Sequence, residues 1–214
     1  MTTESVDTPA GEARVTWHPA RAARLVLALG HGAGGGIEAR DLAALAAALP
    51  ARGVTVALVE QPWRVAGKKV AAAPGTLDAG WRAVWPVLRR PGPPVVAGGR
   101  SAGARVACRT AVELDAAGVL ALAFPLHPPG RPEKSREAEL LGAGKPVLVV
   151  QGGRDPFGRP EEFPPPAGAD PYELVEVAHA DHGFAVPKKA GPTQEETLAA
   201  ITGAVGPWLD RLIG

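Results

Sequence analysis

The stretch from Pro93 to Cys108, PPVVAGGRSAGARVAC, limits the possible folds of this chain more than any other. It reads as a short buried strand, a sharp glycine-rich turn carrying one serine, and the start of a helix. Gly99-Arg100-Ser101-Ala102-Gly103 fits G-x-S-x-G. In that pattern two glycines leave room for a strained strand-to-helix turn that lifts a serine hydroxyl out of a sheet. The chain holds three serines, Ser5, Ser101 and Ser135, and 27 glycines in 214 residues. Chance would supply about 0.05 such matches, so the pattern is informative. The plainer reading is a glycine-rich turn that only lets a helix pack close to a strand. Ser101 is the candidate nucleophile.

The flanking sequence alternates strands with helices. Arg24–Leu29 and Val54–Glu60 are continuous apolar runs, as expected for strands buried on both faces. Between them a helix from about Glu38 to Leu49 carries Leu42, Leu45 and Leu49 on one side. This β-α-β order implies a parallel sheet with a right-handed crossover. Further strands are predicted at Ala13–Trp17 (an edge), Gly118–Leu126, Lys145–Gln151 and Tyr172–Val177. A helix from near Thr76 turns Trp81, Val84, Trp85 and Leu88 inward. The last helix opens on a capping box, Thr193 and Glu196, and buries Leu198, Ile201, Val205, Trp208 and Leu212. Gln61–Gly75 and a Pro-rich stretch from Pro156 to Pro171 read as loops. The expected architecture is one α/β domain over residues 13–214, with a mostly parallel sheet of about seven strands and helices on both faces. Residues 1–12 are expected to form a disordered tail. The segment His127–Arg136 is too short for a cap domain.

A net charge of +1 shows neither the basic face of a nucleic-acid binder nor a basic amphipathic helix for a membrane surface. Cys108 is the single cysteine, which rules out an internal disulfide and a multi-cysteine zinc site; it reads as core packing. The first ten residues lack the basic-then-apolar order of a signal peptide, and no run approaches the roughly 18 apolar residues of a membrane span. A cytoplasmic location is expected.

A serine hydroxyl is a poor nucleophile until a neutral imidazole takes its proton, and a carboxylate usually orients that imidazole. Asp155 follows the strand ending at Gln151, and His182 follows the strand ending at Val177. The C-terminal ends of parallel strands share one rim, so Ser101, Asp155 and His182 can meet there. His179 competes with His182, which lies farther into its loop. Acyl transfer also needs donors for a developing oxyanion: the Ala102 amide, and one from Ala33 or Gly34 in the Gly30–Gly36 loop. His31 is expected to brace that loop, and His18 and His127 are read as structural. No metal or cofactor is required.

The order Ser, Asp, His and the segments His31-Gly-Ala-Gly-Gly35, Phe124–Gly130, Gln151–Gly158 and Asp181-His-Gly-Phe184 resemble the α/β-hydrolases. The similarity is to the small, cap-less, dienelactone-hydrolase-like kind. More narrowly, the chain resembles a hydrolase-like group that includes a testis-expressed protein and a subunit of the NSL chromatin acetyltransferase complex. The resemblance implies Ser101 as nucleophile, Asp155 as acid and His182 as base, acting on a small ester or thioester. Some members of that group sit in complexes as scaffolds, so a non-catalytic interaction module is the alternative, and a homodimer or protein complex is compatible with the sequence. Gly30-x-Gly32-x-x-Gly35 with Glu60 would suit a dinucleotide, but that reading leaves the elbow, Asp155 and His182 idle. Arg100, Arg131, Lys134, Arg136, Lys68 and Lys69 would make the rim basic, which suggests a carboxylate-bearing ester.

Overall fold

The apolar runs form the centre of one sheet in the computed structural model, which describes residues 1–165, 172–189 and 191–213. Among these residues there are eight strands: β1 (Thr2–Thr8), β2 (Gly11–His18), β3 (Leu25–Gly30), β4 (Val54–Glu60), β5 (Val95–Arg100), β6 (Val119–Leu122), β7 (Val147–Gly152) and β8 (Glu173–Val177). The α-helices are α1 (Arg40–Ala48), α2 (Pro62–Val65), α3 (Pro74–Arg89), α4 (Ala102–Thr110), α5 (Glu137–Leu141) and α6 (Gln194–Ile213). The strand order is β1-β2-β4-β3-β5-β6-β7-β8. β1 and β2 are antiparallel to their neighbours, and every pairing from β4 to β8 is parallel.

Each parallel strand sends alternate side chains to opposite faces, and the two faces differ in size. On one face Leu25, Leu27 and Leu29, Val96, Leu120 and Leu122 pack against Leu42 and Leu45 of α1 and Ile201, Val205, Trp208 and Leu209 of α6. On the other, the smaller Val26, Ala28, Ala97, Ala121 and Val149 leave space for Trp81 and Trp85 of α3 and for α4. Bulky helix residues therefore meet small strand residues, which keeps the interior densely filled. Cys108 lies in this second layer, where burial pushes its thiol up to about 12. Among the described residues no helix is long and apolar enough to cross a membrane.

Residues 1–12 depart from the expected tail. Thr2–Thr8 is a full strand in register with β2, Thr2 opposite Trp17 and Thr8 opposite Gly11. The segment TTESVDT is polar because it is a sheet edge, yet its β-branched residues suit a pleated strand. Val6 packs on the core and the Trp17 indole donates to Glu4 at 2.7 Å. The sheet thus has eight strands. The loop read over Gln61–Gly75 contains α2, and of the expected Pro-rich loop, residues 166–171 lie outside the described set.

Candidate active site

The strand order reverses between β3 and β5, because β3 leads to β4 on one side and β5 leads to β6 on the other. Loops leaving those two strands diverge, and a crevice opens at their C-terminal ends. Ser101 sits in it, between β5 and α4, with φ 53° and ψ −109°. That backbone is unfavourable for a serine by about 1–3 kcal/mol and persists only where the surroundings enforce it. Here the Ser101 amide donates to the Leu122 carbonyl at 2.9 Å, and its own carbonyl accepts from Arg105 at 3.2 Å. A Cβ on Gly99 would stand 2.6 Å from the Gly30 oxygen, and one on Gly103 2.5 Å from the same atom. The two glycines of the pattern are therefore what allow α4 to press against the end of β3.

β7 and β8 bring the other two residues to the same rim. His182 Nε2 lies 2.9 Å from Ser101 Oγ, and His182 Nδ1 lies 2.8 Å from Asp155 Oδ2. The Asp155 side chain is fully buried, whereas His182 keeps 19% of its side-chain surface exposed, so the imidazole is reachable. The two loops are laced together by Gly153 N–H to the Val177 carbonyl and Arg154 N–H to the Ala180 carbonyl. Gly152 makes that possible, since a Cβ there would fall 2.6 Å from the Ala180 oxygen. His179 has positive φ, is exposed, and is not part of this chain of contacts.

Several residues support these three in roles that the sequence does not assign. Gln151 is fully buried and donates to Asp155 Oδ2 at 2.9 Å and to the Gly158 carbonyl at 2.8 Å, while Phe157 N–H donates to Asp155 Oδ1 at 2.8 Å. The Phe157 ring covers His182 with centroids 4.2 Å apart. Asp181 shapes the histidine turn by accepting from Gly183 and Ala185 at 2.7 and 2.9 Å. Arg100 is not on the rim. Its guanidinium turns beneath the site, donates to the His182 carbonyl at 2.8 Å, and faces Asp41 of α1 with Nε 3.5 Å from Oδ2. That ion pair is too loose for a hydrogen bond, and among the described residues neither Asp41 oxygen has a hydrogen-bond partner. Burial holds the Asp41 carboxyl above its ordinary range, with Arg100 opposing the rise.

His31 braces the loop after β3, as read from the sequence. Its Nε2 accepts from Gln61 N–H at 3.0 Å, so Nδ1 carries the proton and donates to the Gly32 carbonyl at 2.9 Å. Burial lowers its pKa and keeps it neutral. Ala33 and Ala102 line one small recess, of about 10 Å³, beside the elbow. Gly34 does not line it. His127 is tied to the Pro128 carbonyl and Glu162, both at 2.9 Å. Among the described residues no group of three or more His, Cys, Asp or Glu is placed to hold a metal ion.

Sheet order, elbow and rim together define an α/β-hydrolase. The model of a family described as an alpha/beta hydrolase domain matches residues 21–210, and the chain belongs to that family. No curated protein sequence matches it. Among solved structures it is similar to a serine hydrolase without a lid from Xanthomonas campestris, at 21% identity and TM-score 0.69, over 97% of this chain and 94% of that one. It is also similar to a serine hydrolase homologue from Coxiella burnetii (16%, TM-score 0.75, 97% of each chain). A dienelactone hydrolase from Anabaena variabilis matches at 19% identity and TM-score 0.72, over 98% of this chain and 96% of that one.

Proposed function

We propose that the protein is a serine hydrolase cleaving a small carboxylic ester or thioester through an acyl-enzyme. The observation that carries this reading is the continuous relay from Ser101 Oγ through His182 to Asp155, at 2.9 and 2.8 Å, on a serine held at positive φ. Ser101 Oγ attacks the substrate carbonyl carbon while its proton passes to His182 Nε2. Asp155 accepts from Nδ1, fixes the tautomer and stabilises the imidazolium. The amides of Ala102 and Ala33 donate to the tetrahedral oxyanion. The C–O or C–S bond then breaks, and the leaving alcohol or thiol takes the proton from His182. Water attacks the acyl-enzyme carbonyl, gives a proton to His182, and the acid departs as the Ser101 hydroxyl is restored. On its motifs we place the chain with the hydrolase-like group described above, as a catalytic rather than a scaffolding member.

Intact-mass measurement after incubation with a small fluorophosphonate tests this. One adduct on the wild type and none on Ser101→Ala is expected. A folded wild type that gains no adduct would overturn the reading.

A further inference from the structure

The two nitrogens of the His182 ring face Asp155 and Ser101, and one face of the ring lies against Phe157, with centroids 4.2 Å apart and planes inclined by 31°. The backbone fixes that contact. Phe157 N–H donates to Asp155 Oδ1 at 2.8 Å, closing a turn across Pro156, and the Phe157 carbonyl accepts from His127 N–H at 3.0 Å. Gly158 continues the chain at φ 134°, where a Cβ would stand 2.7 Å from Leu126 Cβ, so the turn has little freedom to move. One carboxylate therefore holds both the edge of the imidazole and the residue that covers its face.

An aromatic ring carries negative charge on its face, and a cation within about 6 Å of its centroid is attracted to it. In the reaction above the imidazole becomes cationic as it takes the Ser101 proton. The stacked ring therefore favours the imidazolium over the imidazole, an attraction gained only as the serine bond forms. Asp155 leaves room for such a contribution: its two oxygens also accept from Gln151 and from Phe157 N–H, so its charge is shared with two neutral donors. We propose, resting on the hydrolase reading, that Phe157 is a positioning residue acting through His182, its ring face stabilising the imidazolium in both half-reactions. An interaction stronger in the transition state than in the ground state raises kcat rather than tightening substrate binding. A leucine would pack in the same place but offer no such face.

The test replaces Phe157 by mono-, di- and trifluorinated phenylalanines, which nearly keep the ring's shape while draining its face of charge, and by leucine and tyrosine. Two rates are read at one pH: kcat/KM for 4-nitrophenyl acetate, and the rate constant of labelling by the small fluorophosphonate. In labelling, Ser101 Oγ bonds to phosphorus, fluoride leaves and the Oγ proton passes to His182, so the same imidazolium forms. Both rates should fall stepwise with each fluorine, to roughly two- to fivefold below wild type at the trifluorinated ring, with KM little changed. Phe157→Leu should fall at least as far, and Phe157→Tyr, which keeps the face, should stay within about twofold of wild type. Rates that fall in Phe157→Leu but not across the fluorinated series would reduce the ring to packing and overturn the proposal. A rise in KM with kcat unchanged would make Phe157 a substrate contact and overturn it too. In both cases a labelled wild type leaves the hydrolase reading standing; a wild type that gains no adduct would overturn that reading, and this proposal with it.

Discussion

Replacing Arg100 by methionine separates its charge from its packing. The side chain is 15% exposed and Asp41 is fully buried, so the pair sits where water screens little. Removing one member of a buried pair typically costs 3–5 kcal/mol, because the other charge is left without compensation. At roughly 2–4 °C per kcal/mol for a chain of this size, the melting temperature should fall by about 6–20 °C. The loss should depend on pH. Burial already raises the Asp41 pKa, and a carboxyl whose folded pKa lies above its unfolded value favours the fold below the unfolded value, losing that contribution as pH climbs through the folded one. Without Arg100 the folded pKa rises further, so the variant's deficit should be smaller near pH 5 than near pH 8. Denaturant unfolding at both pH values measures this. Asp41→Asn with Arg100→Met should recover to within about 1 kcal/mol of wild type and lose the pH dependence. Activity should not recover, because the His182 carbonyl still lacks its donor: kcat should stay down by about tenfold or more with KM little changed. A single variant within about 1 kcal/mol of wild type at pH 8, or a deficit equal at both pH values, would refute the reasoning.

Gly103→Ala puts a methyl 2.5 Å from the Gly30 oxygen and 2.6 Å from its carbon, both backbone atoms that cannot swing aside. A loss of roughly 3 kcal/mol is expected in denaturant unfolding, and a stability within about 0.5 kcal/mol of wild type would show that β3 and α4 separate freely. Gln151→Glu places a carboxylate where the amide donates to Asp155 at 2.9 Å. Losing that donor and crowding Asp155 with a second carboxyl should lower kcat/KM by about tenfold or more. A folded variant that keeps the wild-type kcat/KM would refute the coupling.

The parts of this site that show in the sequence are those written in neighbouring residues. Gly99-Arg-Ser-Ala-Gly103 is a local backbone requirement, and Asp155 and His182 follow apolar runs whose ends mark the rim. β1 escaped because an edge strand needs little apolar surface: TTESVDT holds its place through β2 and one packed valine. Asp41 and Arg100 sit in different βα units, each resembling an ordinary surface charge, and only the closed sheet sets them face to face. Gln151 reads as one more residue of a strand end until the Asp155 loop folds back over it.

Division of labour across the rim follows from where the strand order turns. The loops of β7 and β8 lie on one side of Ser101 and bring polar groups that satisfy each other: three donors on Asp155, and Asp181 shaping the turn that carries His182. The segment after β4 lies on the other side and brings Trp63, Val65 and Ala66. Between them the backbones of Gly30, Gly99 and Gly103 touch with no side chain interposed, so the polar and apolar halves share a stiff seam rather than a hinge. Widening the seam by one methyl at Gly103 should therefore shift Ser101 against His182 and lower kcat/KM for short and long acyl esters alike.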